Sequence, residues 1–342
     1  MANYLIDLLL VGFLLLCCFG LRLPAVKQAI HENAPDIGQT TALRGMLCIL
    51  ILFHHSALLT GSGLSAVVLK RIGAYVVGIF YALSGCGLMA SWAKNGLHGF
   101  WGKRFRGLIL PYLLLSAAAF LIRRLTGEVL GFRDVLLSFV NGQPMIRYSW
   151  FITTILLFYL LFWLAGLLAK KDAAILIALV AFLSFFTVFA LQKAKFEEYW
   201  YNAVWCFPLG MLWQRRRQAF AAVFRRHPWV YLALSGGIAL GWIAISEHFF
   251  WFGYLERLCA TLAVSVFVLL LLFRLRSENR VLRFLGGISM EVYLIHGLVV
   301  TVLLRFLAPA EQPELFLPLL FSVSILLAWL FHRAYAAVFR KK

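Results

Sequence analysis

The sequence predicts an all-α, polytopic membrane protein with about eleven transmembrane helices. Of its 342 residues, 63% are hydrophobic and only 13% are charged, and the mean hydropathy is +0.88, outside the usual range of soluble domains. A helix needs about 20 apolar residues to cross a bilayer. Eleven apolar runs bounded by charge, Gly or Pro lie at 4–22, 42–60, 73–93, 107–122, 149–169, 172–191, 199–213, 229–246, 254–273, 287–307 and 315–336.

The run at 199–213 is the weakest of the eleven, because it is short and contains Pro208, which leaves ten spans as the alternative. The distribution of positive charge favours eleven. With the N-terminus outside, 22 Lys and Arg residues fall on the cytoplasmic side and nine on the outer side, as the positive-inside rule requires. We therefore expect a multi-pass protein of the cell membrane, with its N-terminus outside and its C-terminus in the cytoplasm.

Three parts are expected along the chain. Residues 1–41 form an additional N-terminal transmembrane helix with a cytoplasmic loop, residues 42–336 form the main membrane domain, and residues 337–342 form a basic cytoplasmic tail. The charges of the first run follow it rather than precede it, which favours a retained anchor over a signal peptide.

The formal net charge of +18 does not by itself indicate a nucleic-acid partner, because most of the cations lie where membrane topology places them. The alternative is that some of them bind a cytosolic polyanion. All six cysteines lie in apolar runs without metal-ligand spacing, and we expect small buried side chains rather than a metal site.

Two adjacent histidines, His54 and His55, interrupt the second apolar run. Eleven residues separate Arg44 from His55, and a helix turns through about 1100° over that distance while advancing about 16 Å. Arg44 and His55 therefore share one face, whereas His54 points about 80° away. An ionisable side chain inside a span is costly and often functional, but it can also serve packing through an interhelical hydrogen bond. The packing interpretation is favoured for His54, and both remain open for His55.

Five segments, taken in order, resemble acyltransferase family 3, whose polytopic membrane enzymes O-acylate glycans and other acceptors. The first is the arginine, ten residues, histidine arrangement of Arg44 and His55. The others are IFYALSGCGL at 79–88, WGKRFRGLILPYLL at 101–114, SWF at 149–151 and LGGISMEVYLIH at 285–296. The resemblance covers residues 42–336 and implies a ten-helix core, here preceded by one additional helix.

The resemblance implies acyl transfer, expected to be acetyl transfer, from cytosolic acyl-CoA to a hydroxyl group, with no permanently bound cofactor. His55 is the expected general base, since a neutral imidazole can take the hydroxyl proton; an acyl-histidine intermediate is the alternative. Arg44 is the second expected catalytic residue. It lies too far from His55 along the helix to reach the same atom. Its expected role is to bind donor phosphates or to order the mouth of a channel that leads to His55.

Lys103, Arg104 and Arg106 are the expected donor-binding residues, because arginine and lysine suit the phosphates of CoA. The family commonly has two arginines three residues apart before the proline, and here Arg104 matches the first while Gly107 stands at the second. The expected substrate-binding residues are Ser84, Trp150, Glu291, Tyr293 and His296.

A transporter of a saccharide or small acid is the competing function, because it too would carry His and Glu inside the membrane. Such proteins often contain inverted repeats, and none is recognisable in the sequence. The ordered motifs favour the enzyme. They leave open the acyl group and the acceptor, which could be a capsule sugar, a wall glycan, a lipid-linked intermediate or a small molecule.

Overall fold

The computed structural model describes residues 4–24, 30–61, 63–138, 141–248 and 253–339. The described residues form these α-helices: α1 (Leu5–Cys18), α2 (Ile37–Thr60), α3 (Ala66–Leu69), α4 (Gly73–Asn95), α5 (Phe100–Arg104), α6 (Leu110–Leu125), α7 (Phe132–Leu137), α8 (Trp150–Leu168), α9 (Ala173–Lys193), α10 (Cys206–Arg226), α11 (Pro228–His248), α12 (Tyr254–Leu271), α13 (Arg280–Gly287), α14 (Ser289–Leu303) and α15 (Pro313–Phe339). A π-helical turn, Phe105–Ile109, joins α5 to α6. Two-residue strands, β1 (Leu21–Arg22) and β2 (Arg276–Ser277), pair antiparallel.

The all-α membrane fold is confirmed. Within the described residues, eight helical segments are long and apolar enough to cross a membrane, and α13 with α14, bent by 71° at their junction, gives a ninth. Helix α1 is shorter, with 14 residues, and α10 carries five arginines. Each of the eleven predicted runs overlaps a helix or this bent pair. Two of them, the runs that overlap α1 and α10, are not among the nine segments of the described chain that are long and apolar enough to cross a membrane. Of the predicted basic tail at 337–342, residues 337–339 belong to α15 and residues 340–342 lie outside the described residues.

The predicted span at 199–213 is wrong in its bounds. Residues 198–200 form a 3₁₀ turn and the helix runs from Cys206 to Arg226. Pro208 is the third residue of α10, where its missing N–H has no intrahelical acceptor to lose. The proline therefore belongs to the start of a helix and does not break one.

Many outward-facing side chains are apolar, as expected for a surface that contacts lipid. On α9, four phenylalanines, Phe182, Phe185, Phe186 and Phe189, are exposed, and the whole helix contains only one charged residue, Lys193, in its last turn. An apolar surface of this kind would be unfavourable in water but matches the hydrocarbon core of a bilayer.

Helix α2 is fixed firmly at its start. The Asp36 carboxylate accepts from Gln39 N at 2.8 Å, and the Gln39 side chain accepts from Asp36 N at 3.1 Å, which forms a capping box. The Gln39 amide also donates to the Leu272 and Leu275 carbonyls at 2.8 and 2.9 Å. The first turn of α2 is thus anchored to the end of α12.

These contacts define the two ends of the helical bundle. The Arg44 end contains the start of α2, the end of α12 and the β1–β2 pair. The Thr60 end contains the end of α2 and the start of α1, where the Asp7 carboxylate accepts from Leu64 N and Ser65 N at 2.9 and 2.8 Å.

Helices α2 and α13 pack very closely. A Cβ atom at Gly45 would lie only 2.0 Å from the Leu282 carbonyl oxygen, so the contact requires glycine. Beyond the bend, α14 continues beside α2. This packing brings the middle of α14 next to the histidines of α2.

Candidate active site

His55 lies in a group of three nearly parallel rings and is only 7% exposed. Its ring centroid is 3.8 Å from that of Tyr148, with an interplanar angle of 12°, and 5.2 Å from that of His296, with an angle of 18°. The Tyr148 and His296 centroids are 5.9 Å apart. Helix α2, helix α14 and the loop before α8 each contribute one ring.

The position of Tyr148 depends on its backbone and on α14. Tyr148 has a φ of +67°, an uncommon conformation for an aromatic residue. Its carbonyl accepts a hydrogen bond from the Tyr293 hydroxyl. The preceding carbonyl, that of Arg147, lies so close to α14 that a Cβ atom at Gly297 would come within 2.1 Å of its oxygen. Glycine at 297 and the tyrosine at 293 together hold Tyr148 over His55.

The hydrogen bonds distinguish the two adjacent histidines. His54 Nδ1 lies 2.9 Å from the Leu69 carbonyl oxygen, so this nitrogen carries the proton and holds the last residue of α3. His55 Nδ1, by contrast, is buried and has no hydrogen-bonding partner among the described residues. His54 therefore has a structural contact, whereas the buried Nδ1 of His55 is free to bond a ligand.

His296 shows the same feature from the opposite helix. It is fully buried, and its Nδ1 donates to the Val292 carbonyl at 3.3 Å. That bond leaves the lone pair on Nε2, which is buried and unpaired within the described part of the chain. Two adjacent imidazoles thus each present one unsatisfied nitrogen.

A cavity of about 960 Å³ opens at the Arg44 end of the bundle. Its lining combines residues from α2, α4, α5, α8 and α10 with residues of the loops before α2 and after α12. Five of the lining side chains are cationic: Arg44, Lys94, Arg104, Arg217 and Arg276. Asp36 lines the cavity as well, but its carboxylate caps α2. The cavity therefore favours an anionic occupant.

The cations are held by different partners. Arg44 donates to the Thr40 carbonyl and the Thr41 hydroxyl at 3.3 and 3.4 Å. Arg104 lies over the Phe100 ring at 4.1 Å. The Arg217 guanidinium donates to the Asn33 carbonyl at 3.3 Å, while its Nε is buried and unpaired within the described ranges.

Aromatic side chains separate this cavity from the three-ring group. Phe80 lines the cavity, and its ring centroid is 6.0 Å from that of Phe151. Phe151 in turn is 5.9 Å from Tyr293, whose hydroxyl bonds the Tyr148 backbone. A series of three packed rings, Phe80, Phe151 and Tyr293, therefore connects the cavity lining to the loop residue that stacks on His55.

Comparison with known protein families shows that residues 39–333 match the model of acyltransferase family 3, described as an acyltransferase domain. The chain belongs to acyltransferase family 3. No curated protein and no solved structure matches it. The matched region contains Arg44, His55 and all the other expected site residues. The protein is thus an acyltransferase with multiple membrane helices.

The structure of the acyltransferase brings together only some of the expected donor-binding residues. Arg44, Ser84 and Arg104 all line the cavity, and Ser84 interacts there with the Tyr159 side chain. Lys103 and Arg106 are exposed and are not part of the lining. The Arg106 carbonyl instead accepts from the Tyr335 hydroxyl at 2.6 Å.

The expected substrate-binding residues of the acyltransferase also lie in different parts of the structure. Tyr293 and His296 lie at the three-ring group. Glu291 is buried at 3% exposure, and its Oε1 is 2.6 Å from His332 Nδ1 on α15. Trp150 packs against Tyr199 and Trp200 at the Thr60 end, with centroid distances of 5.2 and 5.8 Å.

Sequence reasoning missed several residues of the acyltransferase site. Arg217 belongs to a run of three arginines and Arg276 to a basic loop. The positive-inside rule explains both without a binding role. Tyr148 directly precedes the SWF segment, and that proximity was the available signal. Tyr159 carried none, since it is one aromatic residue within an apolar helix.

Proposed function

We propose that this acyltransferase moves an acyl group, in the simplest case acetyl, from cytosolic acyl-CoA to a hydroxyl group of a glycan or other acceptor of the cell envelope. One observation carries the proposal. A single helix, α2, places Arg44 in the cationic cavity and His55 in the buried ring group, on one face and about 16 Å apart. In an acyl-CoA, the phosphates and the reacting thioester bond are likewise separated along the molecule.

The cavity at the Arg44 end suits the nucleotide part of the donor. CoA carries a diphosphate and a 3′-phosphate, and guanidinium groups bind phosphate oxygens through paired hydrogen bonds. Five cations line the cavity, which is enough to pair with the charges of these groups. We place this end in the cytosol, where the positive-inside rule puts the basic loops.

His55 supplies the base in this mechanism. Its imidazole takes the proton from the acceptor hydroxyl while the hydroxyl oxygen attacks the thioester carbonyl carbon. The carbon–sulfur bond then breaks, the ester is released, and the proton passes from His55 to the departing CoA thiolate. An acyl-histidine intermediate, in which the imidazole itself attacks the thioester, would use the same geometry.

The neighbours of His55 fit an acceptor hydroxyl. His296 Nε2 is a buried acceptor without a partner in the described residues, so it can receive or orient the hydroxyl group. Arg147 lies within electrostatic range of His55 and can stabilise the oxyanion that develops on the thioester carbonyl. Tyr293 positions Tyr148, and Trp150 borders the approach from the Thr60 end, which we place outside the cell.

Radiolabelled acetyl-CoA tests the proposal with purified protein in nanodiscs and an envelope glycan fraction. We expect label on the glycan with the parent protein and none with His55→Ala. CoA should raise the melting temperature of the parent through binding to the folded state, and less so that of Arg104→Ala. Absence of both label transfer and CoA stabilisation in a folded protein would contradict the proposal and favour a transporter, which should be indifferent to CoA.

Mass spectrometry of surface glycans identifies the substrates. Cells with the parent protein should carry a mass increment that cells with His55→Ala lack. The increment gives the acyl group, and the fragment that carries it gives the acceptor.

A further inference from the structure

A second cavity lies away from the histidines, in the groove between α6, α14 and α15. Its volume is about 510 Å³. Every lining side chain is apolar, and the residues are Leu115, Ile122, Ile295, Leu298, Val299, Val302, Leu303, Val323, Leu327, Leu330, Phe331 and Ala334. All three helices belong to the membrane-spanning part of the fold, so the groove meets hydrocarbon rather than water.

The two ends of this groove differ. Towards the Arg44 end, α15 is tied to the turn before α6 by the hydrogen bond from the Tyr335 hydroxyl to the Arg106 carbonyl. Towards the Thr60 end, the groove reaches Ile122 and Leu303, each of which lies within two residues of an arginine. Arg333 directly precedes the lining residue Ala334, so arginines adjoin the groove at both ends. Only those at the Thr60 end are left unexplained by the positive-inside rule, and we therefore place the polar end of a chain in the groove there.

Two arginines pair with one carboxylate at this end, and a third arginine follows directly in sequence. Glu128 pairs with Arg123 at 2.7 Å and with Arg305 at 2.8 Å. Arg124 is exposed and donates to the Leu130 carbonyl at 3.0 Å, using one of its nitrogens. A net positive charge is left, and it lies at the outer end, where the positive-inside rule disfavours cations.

The surface around these arginines is apolar. Leu125, Val129, Phe132 and Phe306 are each more than 70% exposed. Exposed apolar side chains beside cations are typical of the boundary between the hydrocarbon core and the lipid headgroups. The arginine group is thus at the level of lipid phosphates.

We propose that the groove binds the hydrocarbon chain of a single-chain lipid phosphate of the outer leaflet, with the phosphate held by Arg123, Arg124 and Arg305. Guanidinium groups suit a phosphate, and one undivided groove suits one chain rather than two.

The lipid site would also affect catalysis, and this part of the inference rests on the proposed function. Helix α14 forms the floor of the groove through Ile295 and Val299 and presents His296 to His55. Arg305 lies nine residues beyond His296, about 14 Å along the helix direction. A saccharide several sugar units long, attached to a lipid phosphate at Arg305, would span this distance to the histidine site, and such a lipid-linked saccharide is the acceptor class we infer.

Binding of decaprenyl phosphate to the full-length protein in phosphatidylcholine nanodiscs, measured by native mass spectrometry, tests this site without acyl-CoA. We expect decaprenyl phosphate to bind at least tenfold more tightly than decaprenol. Arg124→Gln should weaken its binding severalfold, whereas Lys193→Gln, which removes an exposed cation at the end of α9, should not. Leu327→Trp should fill the groove and displace the lipid, whereas Leu326→Trp, at an exposed neighbouring position outside the lining, should leave binding unchanged.

Three outcomes would overturn the proposal: equal binding of decaprenol, equal competition by phosphatidylglycerol, or no difference between the two tryptophan variants. The proposed function fails separately. If decaprenyl phosphate binds as expected but no acyl group is transferred from acetyl-CoA, the lipid site is supported and the proposed function is contradicted. If acyl transfer to a soluble glycan occurs without lipid binding, the proposed function is supported and the lipid site is contradicted.

Discussion

Tyr148 lies flat against His55, with ring centroids 3.8 Å apart and planes inclined by only 12°. The contact joins a loop residue to a residue of a transmembrane helix. The Tyr148 ring covers one face of the imidazole. Because we expect the acceptor to approach from the Thr60 end, the placement of this loop residue should affect access to the proposed base.

Replacing each of the adjacent histidines should separate their roles. His55→Ala should lower the rate of acyl transfer by about 100- to 10,000-fold, the usual contribution of a general base. His54→Ala removes the bond to the Leu69 carbonyl and the ring contacts with His55 and Gly73, and it should weaken activity modestly. Single-turnover rates with radiolabelled acetyl-CoA measure both, and a larger loss for His54→Ala would contradict the helical register that assigns the reaction to His55.

Gly297→Ala should displace the loop that carries Tyr148, because the new Cβ atom would overlap the Arg147 carbonyl oxygen. We expect a lower turnover number with unchanged CoA affinity, since the cavity at the Arg44 end is not altered. Gly287→Ala is the matched control, because a Cβ atom there meets nothing within 4 Å. Similar kinetics for the two variants would show that the loop position does not matter.

Arginines of the cavity should affect donor binding and little else. Arg104→Ala or Arg217→Ala should weaken CoA binding by about ten- to a hundredfold, as expected for loss of one hydrogen bond to a charged group. Arg106→Ala, an exposed position outside the lining, should bind CoA normally. Isothermal titration with CoA measures the affinity of all three variants. The opposite ranking would place the phosphates at the exposed segment that contains Lys103 and Arg106 instead.

Glu291 and His332 should behave as a structural pair. A double-mutant cycle with Glu291→Leu and His332→Leu should give a coupling free energy of about 1.5–3 kcal/mol in unfolding experiments in mixed micelles. The KM for CoA should not change in either variant. Negligible coupling together with an altered KM would instead support the original expectation that Glu291 contacts a substrate.

The outer loop after α6 should lose stability in acid. Hydrogen bonding from Arg123, aided by the charges of Arg123 and Arg305, holds the pKa of Glu128 below its ordinary value of 4.5. A lowered folded-state pKa stabilises the loop above pH 4.5, and this stabilisation is lost as the pH falls through the folded-state value. Hydrogen exchange of residues 126–131 above and below this pH should show the change in the parent, whereas Glu128→Gln should be insensitive.

Local sequence patterns predicted most of the fold. Length and apolarity place a helix at each run, and the shared face of Arg44 and His55 follows from helical periodicity alone. The error at 199–213 arose because Pro208 was interpreted as a break within a helix, whereas the tertiary structure starts the helix just before it. Hydropathy could not reveal the bounds of α10, since the arginines in its second half end the apolar run while the helix continues.

The candidate site was predicted less completely, because its remaining contacts join distant parts of the chain. Arg217 reaches the cavity through packing of α10 on α4, and Glu291 meets a histidine 41 residues further on. The positive φ of Tyr148 arises from the fit of its loop against α14. None of these features has a period or spacing in the sequence, whereas Ser84 and Arg104 belong to recognisable family motifs.

The wall of the donor cavity includes Asn33, Pro35 and Asp36, which precede the region matched by the family model at residues 39–333. The Asn33 carbonyl accepts a hydrogen bond from Arg217, which joins this segment to α10 across the cavity wall. A compound that wedges between Asn33 and Arg217 would break that bond, and it would compete with any occupant of the cavity.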